Sequence, residues 1–216
     1  MDHPPYFDWS KIEKILCLGA HADDIEIGAG GTLLRLLAGP VRREIVWVVF
    51  SGDGERRQEA VESAQRYLAN ASSQGVITHD FPDRYFPGSV ASIKQAMDAI
   101  RHQFSPDVVF THRLEDRHQD HRCLAECTWN TFRDQLILEY EIPKYEGDLG
   151  QPNFFVSLTR ELCEQKIRWL HEAFPSQADK DWFDAETFWG LLRLRGLEAR
   201  SSTRYAEAFT ARKLVG

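Results

Sequence analysis

Short, continuously apolar runs alternate with amphipathic stretches along most of this chain. Residues 14–19 (KILCLG), 44–50 (EIVWVVF) and 107–111 (DVVFT) have the length and the β-branched and aromatic content of buried strands. Residues 75–79 repeat that pattern more weakly. Between these runs the spacing predicts a helix over residues 24–37, stopped near Gly39-Pro40, and another over 57–68, where Ala60, Ala64 and Leu68 recur every fourth residue. A third spans 90–104, with Ile93, Met97, Ile100 and Phe104 on one side. The alternation continues with a helix over about 121–136, strands near 137–141 and 154–158, and helices over 160–173 and 185–194. A tail containing Arg204–Phe209 closes the pattern, and residues 1–12, with Pro4-Pro5, read as an irregular lead-in.

Apolar strands alternating with helices predict an α/β fold. The expectation is a single domain over residues 1–216, with a Rossmann-like, mostly parallel sheet and helices on both faces. In such sheets the loops at the carboxyl ends of the strands carry the ligand site. Two polar clusters follow directly on apolar strands, at residues 20–24 (AHADD) and 112–121 (HRLEDRHQDH), and so belong on the same sheet edge.

Composition narrows the picture a little. With 43% hydrophobic and 27% charged residues and a net charge of −7, the chain is ordinary for a globular protein and ill suited to a broad grip on nucleic acid. Cys17, Cys123, Cys127 and Cys163 form no CxxC pair, which fits a reducing cytoplasm and gives no disulfide framework. The start lacks the pattern of a signal peptide, and no apolar stretch approaches the ~20 residues of a membrane span.

The two polar clusters carry the chemistry. A catalytic zinc site takes three protein ligands of His and Asp/Glu type and leaves a position for water. His21 and Asp24 supply two from one strand–helix junction, and one histidine of His118-Gln119-Asp120-His121 supplies the third, leaving the other off the metal. Asp23, beside a ligand, is placed to take a proton from a water made acidic by the metal. The free histidine is placed to donate to a developing oxyanion or leaving amine, with Asp120 setting its tautomer.

The stretches AHADDIEIGAGGTL and RHQDHR resemble the two signature motifs of the PIG-L/LmbE-like zinc-dependent N-deacetylase family, AHPDD-x-x-x-G-x-GG and H-x-D-H. The resemblance implies that His21, Asp24 and His121 are zinc ligands and that Asp23 is the general base. It further implies that His118 is the oxyanion stabiliser or general acid, tuned by Asp120. Ala22 stands where proline is usual, a change expected to affect only loop rigidity. Weaker similarity points to Arg56 and Asp83 as substrate contacts. The segments YEIPK at 140–144 and YAEAF at 205–209 resemble family segments without a role to assign. The implied substrate is an N-acetylglucosamine-type sugar or sugar conjugate, and family members often form symmetric homo-oligomers.

Other readings compete at each point. An Asp-Asp pair at a helix start is also a simple capping cluster. A zinc hydrolase of another amide or an ester, a nucleotide-cofactor oxidoreductase and a non-catalytic protein of the same fold are the alternatives for the whole. The oxidoreductase reading is weakened because Gly28, Gly30 and Gly31 come several residues into the helix and the turn itself holds acids, so close helix–sheet packing explains the glycines better. His112 and Asp116 either line the site mouth or lie on a solvated face. For Trp182, Phe183, Phe188 and Trp189 core packing is the first expectation, with a sugar-stacking or oligomer surface as the alternative.

Overall fold

The computed structural model describes residues 7–214; most of the lead-in, residues 1–6, lies outside them. Seven strands are described: β1 (Lys14–Gly19), β2 (Glu44–Val49), β3 (Ser73–Thr78), β4 (Val108–His112), β5 (Leu136–Tyr140), β6 (Phe154–Leu158) and β7 (Tyr205–Ala211). The helices are α1 (Asp24–Leu37), α2 (Gly54–Tyr67), α3 (Val90–Gln103), α4 (Gln119–Thr131), α5 (Arg160–Ala173) and α6 (Ala185–Glu198). All strands join one sheet in the order β3-β2-β1-β4-β5-β7-β6. The first five pair in parallel, and β7 runs antiparallel to both β5 and β6. The fold is therefore the expected α/β class with a mostly parallel sheet. Among the described residues no helix is long and apolar enough to cross a membrane.

The two-residue period of the strands divides the core between the sheet's faces. Ile15, Cys17, Ile45, Trp47, Val108 and Phe110 point to the side covered by α1, α2, α5 and α6. Leu16, Leu18, Val48, Phe50 and Val109 point to the side covered by α3 and α4. Apolar residues at every strand position thus follow from burial on both faces.

Helix α2 starts three residues earlier and α6 ends four residues later than expected, and two further changes bear on the site and its support. The tail around 205–209 is β7, an interior strand between β5 and β6, which its buried acid Glu207 obscured as a strand signal. Helix α4 starts at Gln119 and ends at Thr131, earlier at both ends than the apolar pattern suggested. The earlier start makes His118 the residue that caps the helix: its Nδ1 accepts from the Asp120 N–H at 3.3 Å.

Glu207 also accounts for one of the glycines of α1. Its carboxylate accepts from the Gly31 N–H at 2.8 Å and the Thr32 N–H at 2.6 Å, and meets the Lys166 ammonium at 2.6 Å. Lys166 in turn donates to the Ile27 carbonyl at 2.6 Å. A side chain at Gly31 would overlap Leu158 and the Glu207 carboxylate, and one at Gly28 would overlap the Tyr140 ring. Close helix–sheet contact is what these glycines permit. Replacing Glu207 by alanine strands the buried Lys166 ammonium and is expected to lower stability by about 3–5 kcal/mol, read as a shifted denaturation midpoint.

Candidate functional site

The carboxyl ends of β1 and β4 lie side by side in the sheet, so the two polar clusters meet. The chain leaves β1 at Gly19 and passes through His21 before α1 begins at Asp24. The carboxylate of Asp24 folds back to accept from the His21 N–H at 2.6 Å, bracing the turn. Asp23 stands at the N-cap position, yet its side chain makes no capping hydrogen bond. The plain capping reading of this pair therefore does not describe it.

Three side chains converge in front of that turn. The Nδ1 of His21 lies 3.1 Å from the Nε2 of His121 and 3.3 Å from the Asp24 carboxylate, and His121 Nε2 lies 3.4 Å from the other Asp24 oxygen. A tetrahedral ion with ligand bonds of ~2.0–2.1 Å spaces its donors by about 3.3 Å. The described residues hold three overlapping groups whose ligand atoms lie within 4.8 Å of one another: His21, His118 and His121; His21, Asp83, His118 and Asp120; and Asp24, His112 and His121. The cluster can hold a metal ion.

The surroundings differ in part from expectation. Asp120 does not support the His118 ring through its carboxylate. Its oxygens accept from the backbone N–H groups of Arg84 and Phe86, at 3.0 Å for the latter, and approach His21 Nε2 at 3.4 Å. Helix geometry is the reason: only the Asp120 backbone faces His118, while its side chain reaches the loop after β3. His118 is placed at the cavity wall with Nδ1 taken up by that backbone N–H. Asp83 reaches His21 Nε2 at 3.0 Å, and its side chain is half exposed. Arg56 lines the cavity, but its guanidinium spans Asp23 at 3.2 Å and Glu59 at 3.1 Å.

His112 and Asp116, for which a solvated face was one alternative, are both buried. His112 lies beneath the cluster, stacked on the His121 ring at 3.9 Å between centroids, with Nε2 accepting from the Ala20 N–H at 3.0 Å. Asp116 lies 3.1 Å from His121 Nδ1 and accepts from the His118 N–H at 2.8 Å. The sequence signal for His112 was its place directly after an apolar strand; in the structure it is the last residue of β4. Asp116 carries no comparable mark.

Burial and charge set the protonation states. Burial raises the Asp23 pKa, and Asp24 pushes the same way against Arg56 and His21. Burial alone would raise Asp24 too, but His121, His112 and His21 outweigh it and hold the carboxyl well below its usual range. Burial, with His112 beside it, pushes His121 down to about 3, so its ring is the neutral form that binds metals. Burial and the neighbouring His21 also lower His118.

The cluster opens into a cavity of about 430 Å³. Its walls include Ser51, Arg84, Lys144, Gln177 and Trp182, and the exposed Tyr145 marks its outer part. Trp182, for which core packing was the first expectation, packs on the core's edge and also lines the cavity.

Residues 16–132 match the PIG-L family, described as GlcNAc-PI de-N-acetylase. The uncharacterized deacetylase YaiS of Escherichia coli (strain K12) is 30% identical over 165 residues, which cover 73% of this chain and 89% of that protein. The N,N'-diacetylchitobiose deacetylase of Pyrococcus horikoshii superposes with a TM-score of 0.71 at 21% identity, covering 94% of this chain and 85% of that one. GalB, the 4-carboxy-2-hydroxymuconate hydratase of Pseudomonas putida KT2440, superposes at 0.69 with 16% identity, over 95% and 98% of the two chains. These two structures are similar in fold alone, and that fold hosts more than one reaction.

Proposed function

We propose, for a chain that belongs to the PIG-L family, that it is a zinc-dependent hydrolase which removes the N-acetyl group from an N-acetylglucosamine-type sugar or sugar conjugate. The observation that carries this reading is the convergence of His21 Nδ1, His121 Nε2 and Asp24 at 3.1–3.4 Å, with Asp23 beside them and outside the trio. Two imidazole nitrogens and a carboxylate are the donor set of a catalytic zinc site. We assign His21, Asp24 and His121 as the residues that would hold zinc. When bound, zinc supplies a Lewis acid and makes water acidic enough to ionise near neutral pH.

The remaining side chains divide the work. Asp23 takes a proton from the attacking water, with Arg56 fixing its orientation at 3.2 Å. With Nδ1 accepting from Asp120, the neutral His118 ring keeps its proton on Nε2 and donates from there to the carbonyl oxygen as charge develops. The water oxygen bonds to the carbonyl carbon, the C–N bond breaks, and the proton held by Asp23 passes to the leaving amine. The products are acetate and a free amino sugar. Asp83 and Arg84 at the cavity wall are placed to meet sugar hydroxyls. A cytoplasmic setting and a single domain over residues 1–216 belong to the same proposal; the four cysteines, all free and buried, are compatible with a reducing compartment.

A panel of N-acetyl sugars, free and conjugated, scored for released primary amine, tests the substrate class. Amine release that stops on chelation and returns with zinc is the expected result. An enzyme that binds one zinc yet hydrolyses only esters or non-sugar amides would replace the substrate in this reading.

A further inference from the structure

The family-like segment YEIPK contains one side chain that the proposed mechanism leaves unused. Lys144, on the loop between β5 and β6, is nearly buried, with its side chain 10% exposed. Its ammonium donates to Asp116 Oδ2 at 2.9 Å, Asp148 Oδ1 at 2.8 Å and the Ile142 carbonyl at 3.3 Å, which satisfies all three protons. Asp116 Oδ2 is the same oxygen that meets His121 Nδ1 at 3.1 Å, and Asp116 Oδ1 holds the His118 N–H. Asp148 is anchored from the other side, accepting from the Arg117 N–H through its carboxylate and from Arg113 through its carbonyl.

We infer that Lys144 is a positioning residue for the metal centre, acting on His121 through Asp116 and tying the cavity's outer loop to it. The inference rests on the proposed role of His121 as a zinc ligand. A histidine ligand needs its second nitrogen held by an acceptor, which fixes ring and tautomer. Here that acceptor is a buried carboxylate, which loses hydration unless a cation or several donors replace it. Lys144 is that cation. The residues after it, Tyr145 and Glu146, line the cavity, so the bond that steadies His121 also fixes the outer wall.

Zinc affinity, measured by competition with a chromophoric chelator, tests this without reference to any substrate. Lys144→Met is expected to weaken zinc binding about 10–100-fold, the usual cost of removing an outer partner of a ligand. Lys144→Arg, which keeps the charge, is expected to recover part of the loss. At saturating zinc, kcat of Lys144→Met is expected to recover while KM stays raised, because the outer wall remains loosened. Should Lys144→Met fail to fold, Asp148→Asn keeps the lysine, removes the charge of its second anchor and is expected to show a smaller loss of affinity. Wild-type zinc affinity in Lys144→Met, or in Asp148→Asn where the first does not fold, overturns the inference. Wild-type protein that binds one zinc without deacetylating any sugar would overturn the substrate reading and leave this one standing.

Discussion

Replacing Asp23 by asparagine is expected to lower kcat by about 10²–10⁴-fold while the protein keeps one zinc per chain. The substitution preserves shape, so the turn before α1 and the contact with Arg56 survive. What is lost is a group able to accept a proton. Asp23 is 4% exposed, and burial lifts its pKa toward the range in which a base is efficient. Arg56 counteracts part of that lift. Because Asp23 lies outside the trio around His121, its loss has no direct effect on metal retention. Metal analysis and steady-state kinetics on the same preparation separate the two effects. Turnover at the wild-type rate would remove Asp23 as the base; loss of zinc would make it a ligand.

His121→Ala is expected to do the opposite, emptying the site and lowering turnover by about 10³-fold or more, since a Lewis acid contributes several kcal/mol to such reactions. His121 is 3% exposed and joins Asp24, His21 and Asp116. Its removal leaves Asp24 and His21 as a two-donor site. Zinc content measured after gel filtration should fall from about one equivalent to a small fraction. A variant that keeps a full equivalent would show that another pairing in the cluster, such as His21 with His118, holds the ion. The fold should persist, because the apolar contacts of α4 run through Leu124 and Cys127.

How far the sequence alone reaches differs between the fold and the site. The strand–helix alternation was legible because parallel strands are apolar on both faces, and the run KILCLG meets that condition at nearly every residue. The missing strand, β7, failed the same criterion: Glu207 is buried in it, and only the Lys166 ammonium and the α1 backbone explain an acid there. Within the site, His21, Asp23, Asp24, His118 and His121 were legible as a group because local spacing concentrates them at two strand ends. His112 and Asp116 were legible only as either site-mouth or solvated residues, and Lys144 had no readable role. Their partners are set by distances across the sheet edge and between loops, for which no local pattern exists.

The sequence by itself determined the alternation of elements, the edge on which chemistry collects and the donor types available there. These follow from periodicity and from the intrinsic chemistry of histidine and aspartate. Only the tertiary structure decided which atoms face one another. It brought His21 Nδ1 and His121 Nε2 to 3.1 Å, gave Asp120 to the loop after β3 instead of the His118 ring, and joined Lys144 to His121 through Asp116. The physical reason is that a side chain's partner depends on the register of parallel strands and the tilt of the helices that follow. Both are fixed by packing over the whole core.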